Sequence, residues 1–314
     1  MPFRRRGGGA DADEARAAQA AQAASVDALA TGGLPARAVE RLSRDSTSFT
    51  SDLSVNQFAL TAPAGVRPVS LVTGSSVYHV GWQSMPGSWL NQAVSRELEV
   101  VSHAWNEARR LAFSRMQQEA SIVGANAVVA LKQTVGAHDW MAGAIEYLAM
   151  GTAVREDAPA SSEPVLTNLS MQDYSLLRSA GYRPAGLFGA TGIFYVVSGW
   201  SQRNAQLGWG SWANQELKDF TRGVYDAREV VLGRVTAQAE KVKADGLVGV
   251  WLSYGIQERE VDQRGMNRTD LIITMHALGT AIVKDESGAA MPPPRLAVDL
   301  SNDRGRDHLL GGAE

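Results

Sequence analysis

The sequence predicts an α+β protein built from two tandem β-α-β-β domains, and three observations carry that prediction. The first is a duplication. Glu97–Leu131 (ELEVVSHAWNEARRLAFSRMQQEASIVGANAVVAL) returns without a gap as Glu216–Val250 (ELKDFTRGVYDAREVVLGRVTAQAEKVKADGLVGV). Identical pairs include Glu97/Glu216, Leu98/Leu217, Ala108/Ala227, Arg109/Arg228, Arg115/Arg234, Ala120/Ala239, Ala125/Ala244 and Val129/Val248. Upstream, Asp52–Val80 matches Asn168–Val196 through Gly65/Gly181, Arg67/Arg183 and Pro68/Pro184; downstream, MGTAV at Met150 matches LGTAI at Leu278. A repeat of roughly a hundred residues means two similar domains and not a solenoid of short units. The second observation is a change of hydrophobic period inside each copy, from β-rich runs to helical spacing and back. The third is composition: 314 residues, 45% hydrophobic, fill about two ordinary globular domains.

The first 50 residues form an Ala/Arg-rich arm. Asp11–Ala30 is helix-forming but short of large apolar residues, and Pro35 suits the first turn of a second short helix. The arm is expected to be flexible or loosely docked, with recruitment to a partner or membrane surface through Arg4, Arg5 and Arg6 as the alternative. The first domain spans residues 51–155. A lead-in (SVNQFAL) ends at a Gly-x-Arg-Pro turn and feeds a strand over Val69–Val80. The long helix follows, because Val94, Leu98, Val101, Trp105, Ala108, Ala112, Met116 and Val123 share one face. Gly124 supplies its stop. Strands over Ala127–Val135 and Ile145–Val154 complete the unit.

A polar linker occupies residues 156–167. The second domain, 168–284, repeats the order: lead-in MQDYSLL, strand Ala185–Val197, helix, then strands Gly246–Tyr254 and Leu271–Val283. Its helix carries Leu217, Phe220, Val224, Ala227, Val231, Val235 and Val242 on one face. Lys243 stands where the first copy has Gly124, so that end is expected to be made differently, at Asp245-Gly246. Residues 285–314 form a Pro-rich, mostly disordered tail, in which Leu296–Leu300 could add an edge strand.

EAR…RM..EA…GANAVVAL followed by EYLAMGTAV resembles the YbjQ-like family, labelled "putative heavy-metal-binding domain". DAR…ADGLVGV followed by HALGTAI is a second, weaker likeness. The resemblance implies a dodecin-like unit, a helix laid across a curved antiparallel three-stranded sheet. It also implies ring-like oligomers, pentameric in single-domain members, so a homo-oligomer is expected. The metal label draws attention to His103 and Glu107, one helical turn apart. Yet no histidine recurs between copies: His103 becomes Arg222, His79 becomes Tyr195, and Leu148 becomes His276. Metal sites need three or four convergent ligands, so none is expected.

The remaining candidates recur in both copies. Arg109 and Glu119 lie within the apolar helix face and Arg115 at its margin; their counterparts are Arg228, Gln238 and Arg234. A buried arginine must be hydrogen-bonded. Exchange of Glu for Gln keeps an acceptor and loses acid–base capacity, which favours an interface or structural role over an anionic-ligand site. Gly151-Thr152 and Gly279-Thr280 sit inside the third strands, where glycine marks a bulge or close approach; a ligand against bare backbone is the rival reading. Five of the eight tryptophans fall in two loops: Trp82 and Trp89, then Trp200, Trp209 and Trp212. They suit lids on the core, subunit contacts or a stacked small ligand.

Net charge is −3, so no basic field argues for nucleic acid. Cysteine is absent, which excludes disulfides and thiol chemistry. No apolar run spans a membrane and no signal peptide is evident. GATG at Gly189 and GSS at Gly74 lack the phosphate-loop and nucleophile-elbow patterns. The expectation is a cytoplasmic, self-assembling, non-enzymatic protein without a cofactor, binding any ligand or partner at subunit interfaces. A metal-stress protein and an enzyme of unrecognised type are the alternatives.

Overall fold

The computed structural model describes residues 8–44, 48–80, 94–138, 143–156, 163–199, 214, 216–263 and 266–285. The protein is mixed α+β. The arm contains α1 (Gly8–Ala30) and α2 (Ala36–Ser43). Then come α3 (Val55–Ala59), β1 (Val66–His79), β2 (Arg96–Glu97), α4 (Glu99–Ile122), β3 (Ala127–His138) and β4 (Ala144–Glu156). After β5 (Val165–Leu166) the order recurs: α5 (Met171–Ser179), β6 (Tyr182–Val196), α6 (Lys218–Lys241), β7 (Gly246–Gln263) and β8 (Met266–Lys284). The lead-ins are helices, α3 and α5, begun by Ser54 and Ser170, whose hydroxyls accept from Gln57 N and Asp173 N.

Each half builds an antiparallel core of three strands, β1-β4-β3 and β6-β8-β7. Each sheet also has a fourth strand of two residues that the sequence does not announce. Those strands are exchanged. β2, just ahead of α4, pairs with β6 of the second half, while β5, just ahead of α5, pairs in parallel with β3 of the first. The irregularities repeat as well. Register shifts fall at Pro68/Ser70 and Pro184/Gly186, and again at Val129/Lys132 and Val248/Trp251. Matching bulges bend matching strands, so both sheets curl around their helix in the same way.

The halves share their interior. Val72, Phe113, Met116, Val128 and Leu131 pack with Leu187 and Leu278 of the second half. Val101, Trp105, Ile145 and Tyr147 pack with Ile193. Met171 and Tyr174 of α5 enter the cluster of Val66, Ala127, Val129 and Val154. α4 therefore lies between its own sheet and β6. Gly74 lets it approach: a Cβ there would stand 1.9 Å from the Ala112 carbonyl oxygen. Among the described residues α6 packs closely on its own sheet, with Gly223, Ala227, Val231, Val235 and Ala239 buried.

One expectation is corrected at the helix ends. Gly124 (φ +65°) does close α4, with Ala125 N donating to Ala120 O. Lys243 does the same for α6: it takes φ +55°, and Ala244 N donates to Ala239 O. The lysine accepts the left-handed conformation at a cost of roughly 1–2 kcal/mol, and no separate end at Asp245-Gly246 is needed. The strand proposed at Leu296–Leu300 lies outside the described residues.

Candidate functional site at the junction of the halves

β2 pairs with only two residues of β6, at Phe194 and Tyr195, which leaves the rest of that side without a strand, and an open edge is a row of unpaired backbone groups. α4 closes it with side chains. Ser102, Asn106 and Arg109 lie one turn apart along the helix and meet alternate residues of β6. Ser102 Oγ accepts from Ile193 N (2.9 Å). Asn106 is bidentate: its Nδ2 donates to Thr191 O (2.8 Å) and its Oδ1 accepts from Thr191 N (2.9 Å). Arg109 Nη2 donates to Gly189 O (2.6 Å) and Asn106 Oδ1 (2.6 Å), and Nη1 to Thr191 Oγ1 (3.2 Å). Leu98 N continues the seam to Ile193 O (2.7 Å), where β2 takes over.

Arg109 is buried, and among the described residues no carboxylate reaches it. Burial lowers its pKa, partly offset by the hydrogen-bonded Tyr147 hydroxyl. Its charge is held by backbone and side-chain oxygens, which is how a buried guanidinium avoids a desolvation cost of several kcal/mol. Thr191 Oγ1 meets His276 Nδ1 (3.0 Å), and the His276 ring lies against Trp105, 5.2 Å between centroids. Burial first, and the Arg109 charge second, hold His276 down to about 4. The unfolded chain therefore takes up this proton first. The stability that neutral His276 contributes is complete above about pH 6.5 and is lost as pH falls towards 4. The shift corresponds to about 3 kcal/mol. Urea midpoints at pH 7 and pH 4.5 should show a smaller loss for His276→Leu, the residue type at the first-half counterpart Leu148. Equal losses in both proteins would refute this role for His276.

The cleft between α4 and α6 over β6, about 740 Å³, gathers five residues the sequence singled out: His103, Glu107, Arg109, Arg234 and Gln238. Two of its charges, Glu107 and Arg234, are held in ion pairs. Glu107 is gripped by Arg110 (Nε–Oε2 2.9 Å, Nη2–Oε1 2.6 Å), which pulls its carboxyl below the usual range. Arg234 forks onto Glu97 (2.6 and 2.7 Å). A metal would need Glu107 freed and further donors supplied; among the described residues no three His, Asp or Glu converge, so the donor set does not fit one.

The repeated residues do not share environments. Arg228 is half-exposed, paired with Glu229 and laid over the Tyr225 ring (4.5 Å), whereas Arg109 is buried. Arg115 donates to Ser75 O (2.7 Å) and to arm carbonyls at Gly33 and Leu29 (3.3 Å each). Buried Glu119, its pKa raised by desolvation, accepts from Thr73 N (2.8 Å) and Arg41 Nη2 (3.2 Å). Gln238 instead donates, to Gly189 O (3.1 Å), so the exchange reverses the bond where an acceptor was expected to persist.

Gly151 sits against the β3 bulge, a Cβ there meeting Val128 Cγ1 at 2.8 Å; Gly279 faces Val250 in the same way at 3.1 Å. Thr152 and Thr280 are buried latches for the lead-ins. Asp52 N donates to Thr152 Oγ1 (3.1 Å), and Thr280 Oγ1 donates to Asn168 Oδ1 (2.7 Å). Chain occupies the position that the ligand reading left open. Trp82, Trp89, Trp200, Trp209 and Trp212 lie outside the described residues, as do Arg4, Arg5 and Arg6.

Sequence reasoning missed Ser102, Asn106 and a buried cluster in the second half. There, Asp270 accepts from Tyr195 Oη, from Arg268 Nε (3.0 Å) and Nη2 (2.7 Å), and from Ser198 N (2.9 Å). The signal available for Asn106 was its exchange for Tyr225 between otherwise similar helices.

Residues 64–157 match a family described as "Putative heavy-metal-binding". Over 279 residues the chain is 33% identical to "Encapsulin nanocompartment protein Rv1762c" of Mycobacterium tuberculosis, covering 87% of this chain and 97% of that protein. Shorter relatives are a UPF0145 protein of Clostridium novyi (38% over 92 residues; 29% of this chain, 85% of that one) and one of Archaeoglobus fulgidus (40% over 89; 28% and 79%). No solved structure is significantly similar.

Proposed function

We propose a function from one premise: the chain belongs to the YbjQ-like family and, over nearly its whole length, to the branch containing the encapsulin nanocompartment protein. It is a non-enzymatic, self-assembling component of a protein nanocompartment. Chains join head to tail by repeating between molecules the junction that each already contains. The reading takes the cytoplasm as its setting. Among the described residues no helix is long and apolar enough to cross a membrane.

One observation carries the reading. What the internal junction buries has exposed counterparts at the two ends of the chain. Met171 and Tyr174 of the second lead-in are 0% and 2% exposed; their first-half counterparts Val55 and Phe58 are 83% and 45% exposed. Leu131 on β3 is 4% exposed under the second lead-in, and its counterpart Val250 on β7 is 47% exposed. The stripe of Ser102, Asn106 and Arg109 corresponds to Thr221, Tyr225 and Arg228, which face no second sheet among the described residues. The edge of β6 is closed by β2, while β1 has no strand beyond it among the described residues. A heterologous contact of this kind generates rings when its rotation closes and filaments when it does not.

Phe58→Asp blocks the leading end and Tyr225→Asp the trailing end. Native mass spectrometry and sedimentation should show multi-chain assemblies for the unaltered protein and mainly single chains for each variant. The two variants mixed should form a pair of chains and stop there. An unaltered protein that stays a single chain at every concentration would end the proposal, as would mixed variants that fail to pair.

A further inference from the structure

We propose that the N-terminal arm is a plug: it occupies the guanidinium of Arg115 that a second copy needs, so docking of that copy requires the arm to leave. The inference rests on the head-to-tail reading. Inside the chain, Arg234 on α6 holds Glu97, two residues ahead of α4, through both carboxylate oxygens. The pair is repeated in the sequence: Arg115 stands in place of Arg234, and Glu216 in place of Glu97. Head-to-tail docking brings Glu216 of one chain to Arg115 of the next. Glu216 is exposed, and among the described residues no cation pairs with it.

Arg115 is already engaged, and by the arm. Its Nη2 donates to Leu29 O and its Nε to Gly33 O, at the end of α1 and in the turn after it; Nη1 holds Ser75 O of β1. The last carbonyls of a helix carry the negative end of its dipole, so the arm offers Arg115 a substitute for a carboxylate. Gln118 adds a bond to Gly32 O (3.0 Å), Arg41 reaches Glu119, and Leu34 and Leu42 are the arm's buried anchors. These contacts use the α4 face whose α6 counterpart, Arg234 with Gln238, lines the cleft at the junction of the halves.

The two states differ in bond quality. The arm's bonds to Arg115 are long, 3.3 Å each, and go to neutral carbonyls. The carboxylate fork seen at Arg234 is short and charge-assisted, the stronger class of hydrogen bond. Both bidentate edges of a guanidinium, Nη1/Nη2 as at Arg234 and Nε/Nη2 as at Arg110, use Nη2, so the arm competes with either while Nη2 holds Leu29 O. Mass action then decides: at low concentration the arm stays docked, and at high concentration a neighbour displaces it.

The test compares the full chain with the full-length variant Leu34→Asp/Leu42→Asp, using sedimentation over a concentration series. Limited proteolysis within residues 8–44 reports arm release. The released variant should associate about tenfold more tightly or better, because docking no longer waits on a minor open population. Arg41→Ala/Gln118→Ala loosens the arm without adding charge to an apolar seat and should move affinity the same way by less. Adding Glu216→Arg to the released variant should abolish the gain, and Arg115→Glu on top of it should restore part. Equal or weaker association on arm release overturns the plug, and so does a gain that survives Glu216→Arg. Association absent from every variant instead overturns the head-to-tail reading itself, and the plug falls with it.

Discussion

Arg109→Met should destabilise the protein by about 3–5 kcal/mol, while Arg228→Met, the same substitution at the matching position, should change stability by no more than about 0.5 kcal/mol. Methionine nearly fills the space, so little of the loss comes from a cavity. It comes from acceptors. Gly189 O loses its 2.6 Å bond, and Thr191 Oγ1 and Asn106 Oδ1 each lose a donor. Each acceptor keeps one other partner, Gln238 Nε2, His276 Nδ1 and Thr191 N in turn, so the loss is that of three bonds to a charged donor, each worth up to about 1.5–3 kcal/mol. Arg228 has water, Glu229 and the Tyr225 ring around it, and an exposed pair of this kind is worth little. Urea denaturation of the two variants decides the matter. Similar losses from both would mean that Arg109 is not the bolt between the halves.

Asp270→Asn should be as severe, again about 3–5 kcal/mol, because it removes the charge of a carboxylate that receives Nε and Nη2 of buried Arg268. Arg268 and Asp270 are both buried, and the carboxylate gathers donors from three other groups of atoms: the Tyr195 hydroxyl, the Ser198 amide and the Ser198 hydroxyl. Burial, with the bond to Asp270 second, pushes the Tyr195 hydroxyl up to about 12, so it remains a donor across the ordinary pH range. Asparagine keeps the shape, but it brings an NH2 where two oxygens had met only donors. The double variant Asp270→Leu/Arg268→Met, which removes both charges, should recover much of the loss, as apolar replacements of buried pairs often do. A single Asp270→Asn variant with unchanged urea midpoint would show that the cluster carries no such energy.

The fold was legible where periodicity and duplication speak together. Gly124 announced its helix end, and the three-and-four spacing from Val101 to Met116 gave the buried face of α4. The lead-ins were harder: SVNQFAL and MQDYSLL are too short for a periodic signal, and only the capping hydroxyls of Ser54 and Ser170 mark them as helices. Lys243 misled because a non-glycine residue accepted left-handed backbone, a local cost carried by the surrounding structure. At the junction, Arg109 stood out as a charge on an apolar face. Asn106 did not, since its partners are backbone atoms of β6, some eighty-five residues away along the chain. Exchange of β2 and β5 was invisible for the same reason: a two-residue strand has no pattern of its own.

That exchange has a consequence for how the polypeptide reaches its native state. Each sheet borrows its last two residues from the other half, and three of the four apolar clusters draw on both. Neither half is an independent cooperative unit, and heat or denaturant should melt them in one transition with no stable half-folded species. A single module could make this contact only by meeting a second chain; joined in one chain, the two modules make it as part of folding, at an effective concentration set by the tether and not by the cell.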